Sequence, residues 1–167
     1  MIKTESQLKA DFARGPRQIY LADVVDFIDS KFGIGGIMHC QDQTLVPVTT
    51  SFSAFGAFTA SSDTKGVTED LGLGRYTILP GADGPYAMSC NITIIPPGSG
   101  TVTIQLVKNA GLLPFRAEKL IVSGVPTTFT ILGGTSVVEG DVLGVAWKAS
   151  AGADVTISDA QFRVLRA

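Results

Sequence analysis

A chain of 167 residues and 17.5 kDa is the size of one domain, which buries roughly 70% of its unfolded surface and needs neither disulfide nor metal to build a core. The charged fraction of 17% lies below the roughly 25% of ordinary domains, while 19 glycines and 8 prolines supply turn residues in excess, a composition of many short strands. A net charge of -2 and a pI near 5.3 exclude a phosphate-backbone binder, whose affinity comes from clustered Lys and Arg, so nucleic acid is not an expected partner.

The first residues, Met1-Ile2-Lys3, run straight into the polar stretch Thr4 to Gln7. No apolar h-region follows, so a cytosol is the expected site of synthesis and folding. Residues 1–34 read as a helical arm. The first 33 carry ten charges, five of each sign, at helical spacing. Thr4 and Gln7 make a capping box, Leu8 and Phe12 fall at i and i+4, and Gly15-Pro16 stops a short helix over about 6–14. Over 21–32, Leu21, Val24, Val25, Ile28 and Phe32 share one face, with Asp23, Asp26 and Asp29 near the other. A helix of about 12 residues is marginal alone in water, so both must pack on something.

From Ile34 onward the period changes to two. Strands are expected near 36–40, 44–50, 54–60, 65–70, 75–79, 85–96, 100–108, 115–122, 126–132, 141–149 and 153–166. The turns at 81–84, 96–100, 109–111 and 151–154 are rich in Gly, Pro, Asp and Asn, residues suited to positive φ. Gly72-Leu73-Gly74 and Gly133-Gly134 also read as turns, because neither continues as a phosphate loop. The fold class is mainly β: an antiparallel all-β sandwich or jelly roll over 35–167, preceded by the arm. The charge-free stretch 44–62 is broken by Pro47 and Gly56 and reads as strand and loop, not as a membrane span.

No constellation for catalysis emerges, and no cofactor is expected. The single histidine, His39, adjoins Cys40, but strand alternation sends the pair to opposite faces. Ser99 lacks both the G-x-S-x-G spacing and a second histidine. Glu69, Asp70, Glu139 and Asp141 read as solvated turn charges. Three acids on one helix do not make the oxygen-rich loop of a Ca²⁺ site. Cys40 and Cys90 stand alone, so two free, buried thiols are expected rather than a bridge or a metal pair. Phe52, Phe55 and Phe58 fit either a sandwich core with a covering loop or a contact between subunits.

The order of four features along the chain resembles the trimeric jelly roll of the complement and tumour-necrosis-factor-like superfamily. They are Gly84-Pro85-Tyr86 opening a long strand, the strand Val102 to Asn109, the turn Glu139-Gly140-Asp141 before the penultimate strand, and the apolar last strand Ala160 to Leu165. The segment Gln7 to Phe12, then Gln18-Ile19, then Leu21 to Ser30, is similar to one that precedes such jelly rolls in structural proteins of tailed bacteriophages. Tyr20 stands where those segments usually place a capping Ser or Thr.

The resemblance implies a non-enzymatic virion protein, made in the bacterial cytoplasm and assembled as a homotrimer. It would be a capsid decoration protein of cement or head-fibre type, with the major capsid protein or another virion protein as partner. The alternative it implies is a tail-fibre or spike module that binds a host-surface receptor or glycan. Leu8, Phe12, Ile19, Leu21, Val24, Ile28 and Phe32 are then the expected docking residues of the arm. Tyr86, Trp147, Phe162 and Phe55 are the expected contacts of the trimer interface, where a threefold axis would gather aromatics into a dry cluster. A mean hydropathy of +0.31 at so low a charge favours an oligomer over a monomer.

Overall fold

The two-residue repeat that begins after Ile34 becomes eleven strands in the computed structural model of the chain, which describes residues 33–167. Both expected helices and all seven docking residues of the arm lie outside the described residues. The strands are β1 (Gly35–Val48), β2 (Ser53–Ala54), β3 (Ala60–Lys65), β4 (Val67–Asp70), β5 (Arg75–Ile78), β6 (Gly84–Ile95), β7 (Gly100–Lys108), β8 (Gly111–Ile121), β9 (Thr127–Val137), β10 (Val142–Ala149) and β11 (Ala153–Arg166). They pair antiparallel in two sheets, ordered β3-β1-β11-β6-β9 and β4-β5-β10-β7-β8, with β2 added beside β10. This is the expected jelly-roll sandwich. Among the described residues no helix is long and apolar enough to cross a membrane.

Alternation sets the interior. In β6, Tyr86, Met88, Cys90, Ile92 and Ile94 are buried, while Pro85 and Ala87 are exposed. In β7, Val102, Ile104 and Leu106 point inward, and β10 and β11 meet them with Leu143, Val145, Trp147, Val155, Ile157, Phe162 and Val164.

Three expectations differ from what forms. Residues 36–40 and 44–50 make one strand, β1, which bends at an irregularity between Gln43 and Val46, with Asp42 left-handed at φ 50. Residues 54–60 are mostly loop, because Phe55 and Phe58 both enter the core and a three-residue step cannot do that on a strand. Gly133-Gly134 is no turn but the middle of β9. A Cβ on Gly133 would sit 2.5 Å from the Phe115 ring, so glycine there lets β8 lie close against β9.

The turns divide in the same way. At 81–84 and 109–111 left-handed residues occur as expected, namely Gly81, Gly84, Asn109 and Ala110. At 96–100 and 151–154 none does. The 96–100 loop is instead held from outside, with Ser123 Oγ donating to the Pro97 carbonyl at 2.7 Å and the Ser123 amide donating to Ser99 Oγ at 3.2 Å.

At the end where β1 starts, one carboxylate ties two turns together. Asp141 is not the solvated turn charge its sequence position suggests; it is 7% exposed. Lys108 Nζ lies 2.8 Å from its Oδ2, the Val138 amide donates to the same oxygen at 2.9 Å, and Asn109 Nδ2 donates to Oδ1. Asn109 Oδ1 in turn accepts from the Val142 amide at 2.8 Å. The hydrogen bond from Lys108, then those from Val138 and Asn109, hold the Asp141 carboxyl down at about 2. A value below that of the unfolded chain means stabilisation that is complete above about pH 4 and lost as pH falls toward about 2. Asp141→Asn is expected to cost about 1–2 kcal/mol at neutral pH, with the gap to the parent closing by about pH 2 in denaturant titrations. A gap independent of pH would refute this role.

Candidate functional site

The two sheets are joined by a column of rings. The Phe55 ring meets Trp147 of β10 edge to face at 4.8 Å and Phe58 at 5.0 Å, and Phe58 stands 6.4 Å from Phe162 of β11. Tyr76 of β5 completes the column 5.8 Å from Phe162. Tyr86 Oη donates to the Ala82 carbonyl at 3.0 Å.

Four of these rings, Tyr86, Trp147, Phe162 and Phe55, are the ones expected at a trimer interface. Each is at most 1% exposed within a single chain. A side chain already removed from water by its own chain has no surface left to bury against a neighbour, so the expectation is corrected: these residues are the intramolecular core. Phe52 alone of the nearby phenylalanines stays partly exposed, with Lys148 Nζ 4.8 Å above its ring.

The same alternation that buries the rings determines what faces outward. Across the first sheet the registers of β1, β11, β6 and β9 align outward side chains in rows. One row reads Gln41, Asp159, Thr93, Thr128; the next His39, Gln161, Asn91, Thr130; the next Ile37, Arg163, Ser89, Leu132; and the last holds Leu165, Ala87 and Gly134. These rows carry one acid and one base, Asp159 and Arg163, and the rest are short, neutral or apolar. Leu132 is 72% exposed in the midst of them. Thr93 Oγ1 and Thr128 Oγ1 share a hydrogen bond of 2.8 Å, which lowers the number of hydroxyls the face presents to water. A flat, nearly uncharged face of this kind matches the depletion of charge at the centre of protein interfaces.

The sequence carried the signal for this face. The residues that alternate with the aromatics, Ala87, Ser89 and Asn91 in β6, are legible as the opposite phase of the strand; the aromatics themselves belong to the inward phase.

Chemistry is sparse elsewhere. His39 is exposed and Cys40 is buried, so the two point apart as expected. Glu69 accepts from Ser61 Oγ at 3.0 Å, and Asp70 Oδ1 caps the 3₁₀ turn at Leu71–Leu73 by accepting from the Leu73 amide at 3.1 Å. Among the described residues no three His, Cys, Asp or Glu side chains gather as metal ligands.

The chain matches no family model and no curated protein. Solved structures share its shape. The Eiger TNF from S. frugiperda superposes with a TM-score of 0.57 at 14% identity, over 81% of this chain and 92% of that one. The PRD1 vertex protein P5 gives 0.56 at 11% identity, over 81% and 97%. The globular domain of the zebrafish complement 1qA protein gives 0.53 at 13%, over 80% and 96%. The described domain therefore has the jelly-roll fold of TNF and complement C1q.

Two measurements test the dry interior. Burial, then the charge of Asp159, pushes the Cys40 thiol up to about 11, and burial pushes Cys90 up further still. Both thiols are expected to resist maleimide at about pH 8 in the native state and to label fully in denaturant, read by mass spectrometry. Rapid native labelling of Cys90 would show that the inner face is wet. The Tyr76 hydroxyl is wholly buried and has no partner among the described residues. Because an unmade hydrogen bond costs about 1–3 kcal/mol, Tyr76→Phe is expected to leave stability unchanged or raise it. A loss of more than about 1 kcal/mol would reveal a partner for that oxygen.

Proposed function

We propose that this protein is a homotrimeric, non-enzymatic virion component of the capsid-decoration type, attached to its particle through an arm over residues 1–34. The observation that carries the reading is the outer face of the first sheet, four rows deep with one acid and one base, set on a domain whose largest rings, Trp147, Tyr76, Tyr86, Phe55 and Phe162 among them, are spent inside. Three copies turned with this face toward a common axis would remove Ile37, Ala87, Leu132 and Leu165 from water and leave Asp159 and Arg163 to pair. The PRD1 vertex protein P5, a component of a virus particle by its name, shares the fold, which supports the virion setting.

The ends of the domain support the division of labour. Ile34, where the arm joins, lies beside the C-terminus, its carbonyl accepting from the Arg166 amide at 2.8 Å. Ile34 therefore lies at one end of the sandwich, and the loops at 49–52, 96–100, 122–126 and 150–152 lie at the other. Leu8, Phe12, Ile19, Leu21, Val24, Ile28 and Phe32 are the proposed docking residues, gripping the major capsid protein or another virion protein. Three arms on one trimer convert modest contacts into a long-lived attachment.

Sedimentation of the full chain is expected to give three times the 17.5 kDa chain mass. Ala87→Arg with Ser89→Arg, which sets six charges near the axis of the trimer, is expected to yield monomers with an unchanged circular-dichroism spectrum. A parent protein that sediments as a monomer would overturn the assembly. Phe12→Asp is expected to keep the trimer and abolish co-sedimentation with particles lacking this chain; retained binding would overturn the role of the arm.

A further inference from the structure

We propose that a groove on the outer face of the second sheet is a binding site for a neutral saccharide. Thr50, Thr101, Thr103, Glu118, Lys148 and Ser150 line a cavity of about 210 Å³. Its centre is a row across three strands, Lys148 of β10 opposite Thr103 of β7 opposite Glu118 of β8.

Thr103 lies on the outward phase of β7 yet is 3% exposed, and its Oγ1 donates to Glu118 Oε2 at 3.0 Å. A buried hydroxyl thus holds the carboxylate in one orientation and leaves its other oxygen free to accept. On the opposite wall the Lys148 ammonium rests 4.8 Å from the Phe52 ring centroid, which props it at the rim. Two interstrand steps separate Lys148 from Glu118, about 10 Å at the backbone, which fits the absence of an ion pair between them among the described contacts. Donor and acceptor therefore stand on facing walls with hydroxyls between. Ser150 Oγ accepts from the Thr101 amide at 3.0 Å, which leaves its own proton to give.

The chemistry selects the ligand. Lysine only donates, a carboxylate only accepts, and the Ser and Thr hydroxyls do both. A polyol carries both functions on every hydroxyl and satisfies this set without net charge. A phosphate or a carboxylated sugar would face the Glu118 charge, and a hard cation would find one carboxylate opposed by an ammonium. Nothing in the groove requires the trimer. Its position at the end away from the arm gains meaning from the attachment reading above and rests on it in that respect alone: three grooves would face outward together, and avidity would raise a weak single-site affinity.

The test titrates the full chain, followed by NMR shifts, with methyl glycosides of neutral hexoses and of N-acetylhexosamines, and with sialic acid and inorganic phosphate for comparison. At least one neutral glycoside is expected to bind with a dissociation constant of order 1 mM. Glu118→Ala and Lys148→Ala are each expected to weaken it tenfold or more, and Glu139→Ala, at the opposite end, to leave it unchanged. Both groove residues sit at the surface, and sedimentation of each variant separates loss of the site from loss of the assembly. No neutral glycoside bound at about 50 mM would overturn the proposal. So would binding that survives Glu118→Ala, or a preference for sialic acid or phosphate. A monomeric protein that binds the glycoside would overturn the trimer and leave the groove standing.

Discussion

The packing of Trp147, Phe55, Phe58, Phe162 and Tyr76 into one column is the contact on which the rest of the domain depends. Two sheets about 10 Å apart need large side chains to close the space between them. Here a loop supplies two of the rings. Phe55 and Phe58 enter from the segment between β2 and β3, so that segment is part of the core even though it forms almost no sheet. The approach is close enough that Gly74, left-handed at φ 58, has no room for a side chain: a Cβ would lie 2.1 Å from the Phe55 carbonyl oxygen. Losing a ring of this size from such a core costs about 3–5 kcal/mol, a large part of the stability of an ordinary domain.

Because most of the large rings are consumed inside, the two outer faces carry short or polar side chains with a few exposed leucines among them, and the faces differ. The first sheet turns outward rows of Ser, Thr, Asn and Gln with Ile37, Ala87, Leu132 and Leu165 among them and a single acid and a single base. The second turns outward Thr103 and Gln105, both nearly buried by their neighbours, with Glu118 and Lys148 around them. The first face is suited to a large, flat, uncharged partner. The second is suited to a small molecule with many hydroxyls. At the end where β1 starts, the Lys108, Asn109 and Asp141 cluster binds the β7–β8 turn to the β9–β10 turn.

Much of the fold was legible in the chain. Alternation in Pro85 to Ile95 and in Thr101 to Leu106 marks β6 and β7 because one face of each strand must be apolar and the other need not be. Boundaries were less legible where two roles compete for the same residue. Gly133-Gly134 looks like punctuation, yet it marks the close approach of Phe115 in β8, a contact between distant segments. Asp141 looks like a turn acid beside a glycine, yet its partners Lys108 and Asn109 come from another hairpin, more than thirty positions earlier. The candidate face was half legible. The phase of β6 separates Ala87, Ser89 and Asn91 from Tyr86, Met88 and Cys90, but assigning the aromatics to a subunit contact placed them on the wrong side of the sheet.

The amino-acid sequence by itself determined the β class, the separation of His39 from Cys40, and the scarcity of charge. Each follows from a property read within a few neighbouring residues: period, turn chemistry or composition. Only the tertiary structure decided which side of each strand is the interior, that Phe55 and Phe58 belong to the core, and that Lys148, Thr103 and Glu118 form a single row. Those facts depend on strand order and register, which bring residues 15 to 45 positions apart to neighbouring places and which no local pattern encodes.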